Sequence, residues 1–282
     1  MKKWNLVFDL ELCTGCQSCA MAVKDEYVGN EFPGYAATMP LHGAGWVQIH
    51  AHERGRFPAV DLAYIFQCCQ HCDDAPCMKV ARNGAVKKRS DGIVMIDPAL
   101  AKGQKELVDA CPFHAVHWNE ELSLPQAWNF DAHLLDAGWS APRPVQSCPT
   151  GALRALKVED DEMRRIASEE RLQRLEPGEK HRTRVHYKNL YRFTSVFVAG
   201  TLVGRDQGLE ACVRGAEVRL MRGSTAVGSG ASDAYGDFRF DGLPPESGAY
   251  RVEIAAKGYR GKNVELELTN SHWLGEIRLD AA

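Results

Sequence analysis

The chain has 282 residues, of which 45% are hydrophobic and 25% charged, and this composition allows two modest hydrophobic cores. Its formal net charge is only -3, because 34 basic residues are balanced by 37 acidic ones. The basic residues are scattered along the sequence, so a nucleic-acid-binding protein is not expected. No apolar run approaches the roughly 20 residues that cross a bilayer, so no direct membrane span is expected either.

The first region, residues 1–158, is predicted to be a domain of short strands, which the strand-like runs 5–10, 46–51 and 92–96 indicate. Residues 1–6 lack the long apolar stretch and the small-residue cleavage site of an export signal. The sequence therefore favours a cytoplasmic location, or transport by a partner protein.

Nine of the ten cysteines lie in this region, and eight of them form two sets that each combine a compact loop of three with one remote Cys-Pro. A cubane of four irons and four sulfides needs four thiolates from different directions, and a tight three-cysteine loop cannot easily supply the fourth. In bacterial ferredoxins a Cys-Pro of the other motif crosses over to complete the set. The spacing therefore predicts two [4Fe-4S] clusters. The ligands are Cys13, Cys16, Cys19 and Cys148 for cluster 1, and Cys69, Cys72, Cys77 and Cys111 for cluster 2.

Zinc is the main alternative metal, since it also binds four sulfurs, although its ligands usually arrive as paired Cys-x2-4-Cys knuckles. A zinc-stabilised scaffold protein therefore stays open as a second function. Disulfides are disfavoured, because closely spaced loop cysteines cannot all pair with distant partners. The two remaining cysteines, Cys68 and Cys212, are expected to fill small buried apolar positions.

Residues 159–190 form a charged segment whose first part, 159–176, is typical of a solvated surface helix, and we interpret the segment as a connector. After Tyr187 the hydrophobic period becomes two, and the last domain is predicted over residues 191–282. Turn signals separate six strand-sized runs, at 196–203, 216–221, 237–240, 250–254, 264–268 and 275–279. This pattern predicts an antiparallel β-sandwich of about seven strands. Residues 234–243 resemble the transthyretin-like or carboxypeptidase-regulatory modules, which usually dock or stabilise. The predicted fold class is α+β, a ferredoxin-like iron–sulfur domain followed by an all-β transthyretin-like or Ig-like sandwich.

The cysteine region resembles the iron–sulfur subunits of the DMSO-reductase family of molybdopterin enzymes. The motifs that carry this resemblance are CTGCQSC at 13–19, CQHCDDAPC at 69–77, DACP at 109–112 and QSCPTGAL at 146–153. The general family pattern has four clusters, and this chain departs from it at eight ligand positions. They fall into two complete sets, which are Val23, Trp128, Asp131 and Pro144, and Ala81, Ala101, Gln104 and Leu107.

Because each absent cluster has lost its whole ligand set, the chain resembles an electron-transfer subunit reduced from four clusters to two. Packing residues are expected to fill the places of the two absent clusters, with Trp128 and Leu107 supplying apolar bulk. Asp131 is expected at the surface, because carboxylates are seldom cluster ligands.

A trimmed cluster domain followed by a sandwich is similar to the small subunits of pyrogallol–phloroglucinol transhydroxylase and resorcinol hydroxylase. Segments 30–35, 91–98, 132–136 and 187–193 extend this likeness over nearly the whole chain. The resemblance implies a heterodimer whose large catalytic subunit holds molybdenum bis-molybdopterin guanine dinucleotide and hydroxylates a phenol. This chain would pass electrons to or from an acceptor of unknown identity. Two retained clusters favour an outlet for electrons, and hence the resorcinol type.

No catalytic residue is predicted in this chain. His71 and His114 are interpreted as hydrogen-bonded or interface residues, since eight cysteines already supply two full ligand sets, although His71 could tune its cluster. Asp73, Asp74 and Asp91 are typical of solvated loop acids rather than of an acid–base pair. The alternative within the same family is an iron–sulfur subunit of a formate, polysulfide or sulfoxide enzyme.

Overall fold

The computed structural model describes residues 1–43, 45–206 and 208–282, and strands dominate it. None of its helices is long and apolar enough to span a bilayer within those residues. The helices are α1 (Ser18–Tyr27), α2 (Pro76–Val80), α3 (Glu106–Asp109), α4 (Ala132–Asp136), α5 (Arg143–Gln146), α6 (Asp160–Glu169), α7 (Gly178–His181) and α8 (Tyr191–Thr194). The strands are β1 (Lys3–Asp9), β2 (Gln48–Arg56), β3 (Ala59–Gln67), β4 (Val86–Lys88), β5 (Val94–Ile96), β6 (His117–Asn119), β7 (Leu124–Gln126), β8 (Leu153–Val158), β9 (Val185–Lys188), β10 (Val196–Asp206), β11 (Leu209–Cys212), β12 (Glu217–Arg222), β13 (Thr225–Ala231), β14 (Asp237–Leu243), β15 (Gly248–Ala255), β16 (Lys262–Leu268) and β17 (His272–Arg278).

The chain divides into two compact units. The first consists of Met1–Ala51 and Tyr64–Leu190, and the second of His52–Ala63 and Tyr191–Ala282. The charged segment 159–190 lies in the first unit, because β9 within it pairs in parallel with β1.

The first unit is organised around a small three-stranded sheet in the order β8-β1-β9. Its central strand, β1, buries five consecutive residues, Trp4 to Phe8, because both faces of the sheet are covered. The hairpins β4–β5 and β6–β7 also belong to this unit, whereas the hairpin β2–β3 is divided between the two units. Most of this unit is therefore irregular chain fixed by short elements.

The first set of departed ligand positions lies inside this unit. Val23, Trp128 and Pro144 are buried, which confirms that packing residues fill the place. The expectation that Asp131 lies at the surface is wrong, because this residue is fully buried. Its carboxylate accepts hydrogen bonds from Tyr27 Oη at 2.9 Å and Trp128 Nε1 at 2.8 Å, and from the Arg143 backbone N–H at 2.8 Å. These three donors offset the cost of burying the group, so Asp131 links α1 to the start of α5.

The second set of departed positions is also packed. Ala101 and Leu107 have no exposed surface, and both belong to the cluster of buried apolar residues that includes Cys72 and Cys77. Gln104 is buried, and its amide accepts a hydrogen bond from the Arg82 N–H at 2.8 Å. The same amide donates to Leu100 O at 2.8 Å. A locally satisfied turn therefore occupies this place.

The second unit is a two-layer β structure. One sheet has the order β11-β10-β14, with β17 also pairing with β10, and the other has the order β13-β12-β15-β16. Alternate residues of both sheets, such as Val198, Leu220, Phe238 and Val252, share one hydrophobic core. The described residues form eight strands here, against about seven expected, and the sequence runs correspond to six of them, because β11 and β13 were not indicated by the pattern.

A salt-bridge network fixes the hairpin segment 52–63 within the second unit. The Arg54 side chain is almost fully buried, pairs with Asp61, and donates from Nη1 to Asp241 Oδ1 at 2.9 Å. Asp61 also pairs with Arg192 and Arg239, at 2.9 Å each. Although burial opposes ionisation, hydrogen bonds from these three arginines hold the pKa of Asp61 well below its ordinary value.

The two unassigned cysteines differ in their environments. Cys68 is buried, as expected, with 1% of its surface exposed. Cys212 is exposed, so the expectation of a buried role for it is wrong. It lies in β11, which pairs only with β10 among the described strands and leaves its other edge unpaired.

The Asp131→Asn substitution should destabilise the first unit. One carboxylate oxygen faces two donors and the other faces a third, so either orientation of the amide NH2 opposes a donor. We expect a loss of about 1–3 kcal/mol in the free energy of unfolding, measured by urea titration. Glu121→Gln, at an exposed position, is the control. An unchanged stability for Asp131→Asn would contradict the proposed role of the carboxylate.

The Asp61→Asn substitution should weaken the second unit by about 3 kcal/mol, because it leaves the buried Arg54 short of a countercharge. Since the pKa of Asp61 is depressed, its contribution is present above the pKa of an unfolded aspartate and is lost as the pH falls through the folded value. The difference between wild type and variant should therefore shrink in acid. Unfolding curves at several pH values test this, with the exposed Glu265→Gln as control. A pH-independent difference would contradict it.

Candidate functional site

The first three-cysteine loop connects β1 to α1. Gly15 and Gln17 both adopt left-handed backbone angles, with φ of 70° and 64°, and these angles allow the loop to curl tightly. A Cβ atom at residue 15 would overlap the ring of Tyr64, so only glycine fits there. The loop therefore presents Cys13 and Cys16 from irregular chain and Cys19 from the first turn of α1.

Cys148 lies beside this loop, although it is more than 120 residues away in sequence. Burial, followed by the charges of Cys13, Cys148 and Cys16, raises the pKa of Cys19 to about 12. Burial also raises the pKa of Cys13, to which Cys148 and Cys16 contribute. Packing of α1 against α5 explains the approach, because α5 ends two residues before Cys148. The structure thus brings the four residues of the first predicted set together.

The second loop connects β3 to α2 and carries Cys69, Cys72 and Cys77, the last of these in α2. Its fourth partner, Cys111, follows α3, which packs against α2. Burial raises the pKa of Cys77 to about 11, with Cys111 as the next contributor. Burial raises the pKa of Cys72 to about 12, followed by the charges of Cys77 and Cys111. Burial also raises the pKa of Cys69, and the charges of Cys77, Cys111 and Cys72 act in the same direction. The second predicted set is therefore also a spatial group.

The two groups differ in exposure. In the first, Cys16 is exposed, and its hydrogen bond with the Ser18 hydroxyl, at 3.4 Å, lowers the pKa of its thiol. In the second, Cys72 and Cys77 are buried. The Ala115 N–H donates to Cys111 Sγ at 3.4 Å. Hydrogen bonds to sulfur and solvent exposure are the main protein influences on cluster potentials.

The β4–β5 hairpin holds the second loop from one side. Its terminal pair is Lys88 and Val94. Lys88 Nζ donates to the carbonyl oxygens of His71 and Cys72, at 2.8 and 2.9 Å. The Val94 N–H donates to His71 Nδ1 at 3.1 Å, which confirms His71 as a hydrogen-bonded residue. Burial, with Lys88 and Arg184 nearby, lowers the pKa of His71 to about 3, so its ring is neutral at ordinary pH.

Two of the three acids interpreted as solvated loop residues are engaged instead, and for them that expectation is wrong. Asp73 pairs with Lys88 at 2.8 Å and with Arg184 at 2.6 Å. Burial tends to raise the pKa of Asp73, but the hydrogen bonds from Arg184 and Lys88 outweigh burial and hold this pKa below its ordinary value. Asp91 pairs with Arg89 at 2.9 Å, whereas Asp74 is exposed and pairs only with Lys79 among the described residues.

The donor chemistry of both groups fits an iron–sulfur cluster. Each group offers four thiols, and mutual repulsion together with burial keeps several of them protonated in the absence of a cation. Iron bound at these positions would take the thiolates and offset their repulsion. Within residues 1–43, 45–206 and 208–282, no three His, Cys, Asp or Glu side chains are arranged to hold a single metal ion.

Sequence reasoning missed two neighbours of these groups. Cys68 is affected by the charges of Cys19 from the first group and of Cys111 from the second, so it lies between the two groups. Lys88 contacts the second loop but stands 11 residues beyond Cys77 in the chain. Only its place at the end of a strand-like run could have indicated it.

Two family models match the chain. The 4Fe-4S dicluster domain matches residues 60–158, and the carboxypeptidase regulatory-like domain matches residues 198–274. The chain therefore combines an iron–sulfur dicluster domain with a carboxypeptidase-regulatory-like domain.

Three curated relatives illustrate the likeness. The pyrogallol hydroxytransferase small subunit of Pelobacter acidigallici is 41% identical over 283 residues, which cover 99% of this chain and 100% of that one. The thiosulfate reductase electron transfer subunit of Salmonella typhi is 31% identical over 61% of this chain and 85% of its own length. The arsenate respiratory reductase iron–sulfur subunit of Shewanella sp. strain ANA-3 is 32% identical over 49% of this chain and 54% of its own. The chain therefore belongs to the family of the pyrogallol hydroxytransferase small subunit, among the iron–sulfur subunits of the DMSO-reductase family of molybdopterin enzymes.

Proposed function

We propose that this chain is the electron-transfer subunit of a heterodimeric, molybdopterin-dependent phenol hydroxylase of the resorcinol hydroxylase or pyrogallol–phloroglucinol transhydroxylase type. The observation that carries the proposal is the assembly of two separate four-thiol groups in a chain whose full length matches a pyrogallol hydroxytransferase small subunit. The large partner would hold molybdenum bis-molybdopterin guanine dinucleotide and perform the hydroxylation.

Cys13, Cys16, Cys19 and Cys148 are the proposed ligands of cluster 1, and Cys69, Cys72, Cys77 and Cys111 those of cluster 2. Both clusters are of the [4Fe-4S] type. Thiolate-bound clusters exchange single electrons with little rearrangement, and the surrounding charges and hydrogen bonds set their potentials. In this division of labour the chain positions and tunes the clusters, and it has no turnover of its own.

The second unit is proposed to be a transthyretin-like or Ig-like sandwich that stabilises the subunit or docks its partner. The proposed domain order is 1–158 for the ferredoxin-like cluster domain, 159–190 for the connector and 191–282 for the sandwich. A cytoplasmic location is also proposed.

The Cys148→Ala substitution should remove one cluster and leave the other. The variant lacks the remote thiol of the first group, while the second group is unchanged. Two cubanes correspond to about eight irons per chain, so the iron and acid-labile sulfide content should fall to about four of each in anaerobically prepared protein. Cys111→Ala should give the same content by losing the other cluster.

Cys212→Ala is the matched control, because Cys212 is exposed and belongs to neither group. It should keep the wild-type iron content. Zinc in place of iron in the wild type would contradict the proposed clusters, and so would an undiminished iron content in Cys148→Ala.

Mixing the oxidised heterodimer anaerobically with its phenolic substrate should reduce the clusters. Hydroxylation with oxygen from water releases electrons, and without a phenolic co-substrate to take them up they have no outlet except the clusters, so the visible absorbance of the clusters should bleach and EPR signals of reduced clusters should appear. An added one-electron acceptor should restore the oxidised spectrum. Product formation with the clusters remaining oxidised, and no response to the acceptor, would contradict the role in electron transfer.

A further inference from the structure

Lys88 is a nearly buried cation with a fixed geometry. Its side chain is 17% exposed, and its Nζ atom lies 2.8 Å from His71 O, 2.9 Å from Cys72 O and 2.8 Å from Asp73 Oδ1. These three acceptors match the three N–H donors of an ammonium group, whereas a neutral amine has only two. Burial lowers the pKa of Lys88, whereas the ion pair with Asp73 opposes this shift, and the geometry favours the charged form because it offers one acceptor to each N–H of the ammonium.

The charge of Lys88 acts on three of the four thiols of that group. It lowers the pKa of Cys72 and of Cys77, in each case against the larger effect of burial. Conversely, Cys69 favours the charged form of Lys88. The ammonium is thus within electrostatic reach of most of the sulfur that would bind cluster 2.

In the described part of the chain, the first group makes its hydrogen bonds with neutral groups. Among the described residues, no lysine or arginine side chain hydrogen-bonds to the backbone of the loop from Cys13 to Cys19. Instead, Cys16 is exposed to water, which screens charge at that site. The buried second group lacks this screening, so a fixed cation has a larger effect there.

We propose that Lys88 tunes the reduction potential of cluster 2, by stabilising the extra negative charge that this buried cluster acquires on reduction. The inference rests on the proposed function, since it requires cluster 2 to be held by Cys69, Cys72, Cys77 and Cys111. One electron enters the cluster without a proton, and the nearby positive charge lowers the energy of the reduced state. Lys88 is a positioning and tuning residue, and it is not a ligand.

The test is a redox titration of the anaerobic heterodimer with dithionite, in which EPR follows each cluster separately. Lys88→Gln should shift one midpoint potential to a more negative value, by about tenfold in the equilibrium constant or 59 mV for a one-electron couple, and leave the other in place. Lys88→Arg keeps the charge and should restore most of the wild-type value. Lys87→Gln, at the exposed neighbouring position, should have no effect on either potential.

Asp73→Asn provides a second test, in which the midpoint potential should shift in the opposite direction. It removes the anion that partly neutralises Lys88, so the same midpoint should shift to a more positive value. This test decides the question if Lys88→Gln fails to retain its cluster. A midpoint that does not move in Asp73→Asn, or that moves in the negative direction, would then overturn the role of Lys88.

Iron content separates the two possible failures. With about eight irons per chain in the variants, unchanged potentials, or equal shifts of both clusters, would overturn the inference and leave the proposed function standing. A wild-type chain without iron would overturn the proposed function itself, and the inference with it.

Discussion

The structure depends on holding four thiols within electrostatic reach of one another at two separate places. Such groups are costly to ionise, and burial together with neighbouring sulfur raises the pKa of Cys19 and Cys72 to about 12. A polynuclear cation that takes all four sulfurs removes this cost. Local loops supply three thiols of each group, so the remaining work of the fold is to deliver Cys148 and Cys111 from distant segments. Contacts between short helices, α1 with α5 and α2 with α3, accomplish this.

The two sets of departed ligand positions are filled in two different ways. At one, the buried Asp131 carboxylate collects three hydrogen-bond donors and joins α1 to α5, the helices that also bring Cys148 to its loop. At the other, the Gln104 side-chain amide forms hydrogen bonds with the backbone of Arg82 and Leu100, among small and apolar residues. At the first place, the buried residues therefore join the helices that hold Cys148 near its loop, and at the second they form a hydrogen-bonded turn.

Cysteine spacing indicated both candidate ligand sets, because loop geometry and the Cys-Pro motif are local features. Asp131 was misplaced because its burial depends on donors from three separate segments, and no local pattern reports them. Asp73 was misread for the same reason, since its partners Lys88 and Arg184 are distant in sequence. The position of 52–63 in the second unit was equally hidden, because it follows from ion pairs between Arg54 or Asp61 and residues more than 130 positions later. Strand alternation located six of the eight sandwich strands, whereas β11 and β13 are mostly exposed and have little hydrophobic alternation.

Anomalous diffraction at the iron absorption edge, from crystals grown anaerobically, tests the central claim most directly. The account predicts two compact iron peaks per chain, one bonded to the Sγ atoms of Cys13, Cys16, Cys19 and Cys148, and the other to those of Cys69, Cys72, Cys77 and Cys111. A single peak, a signal only at the zinc edge, or a peak that Cys148 or Cys111 does not reach would contradict it.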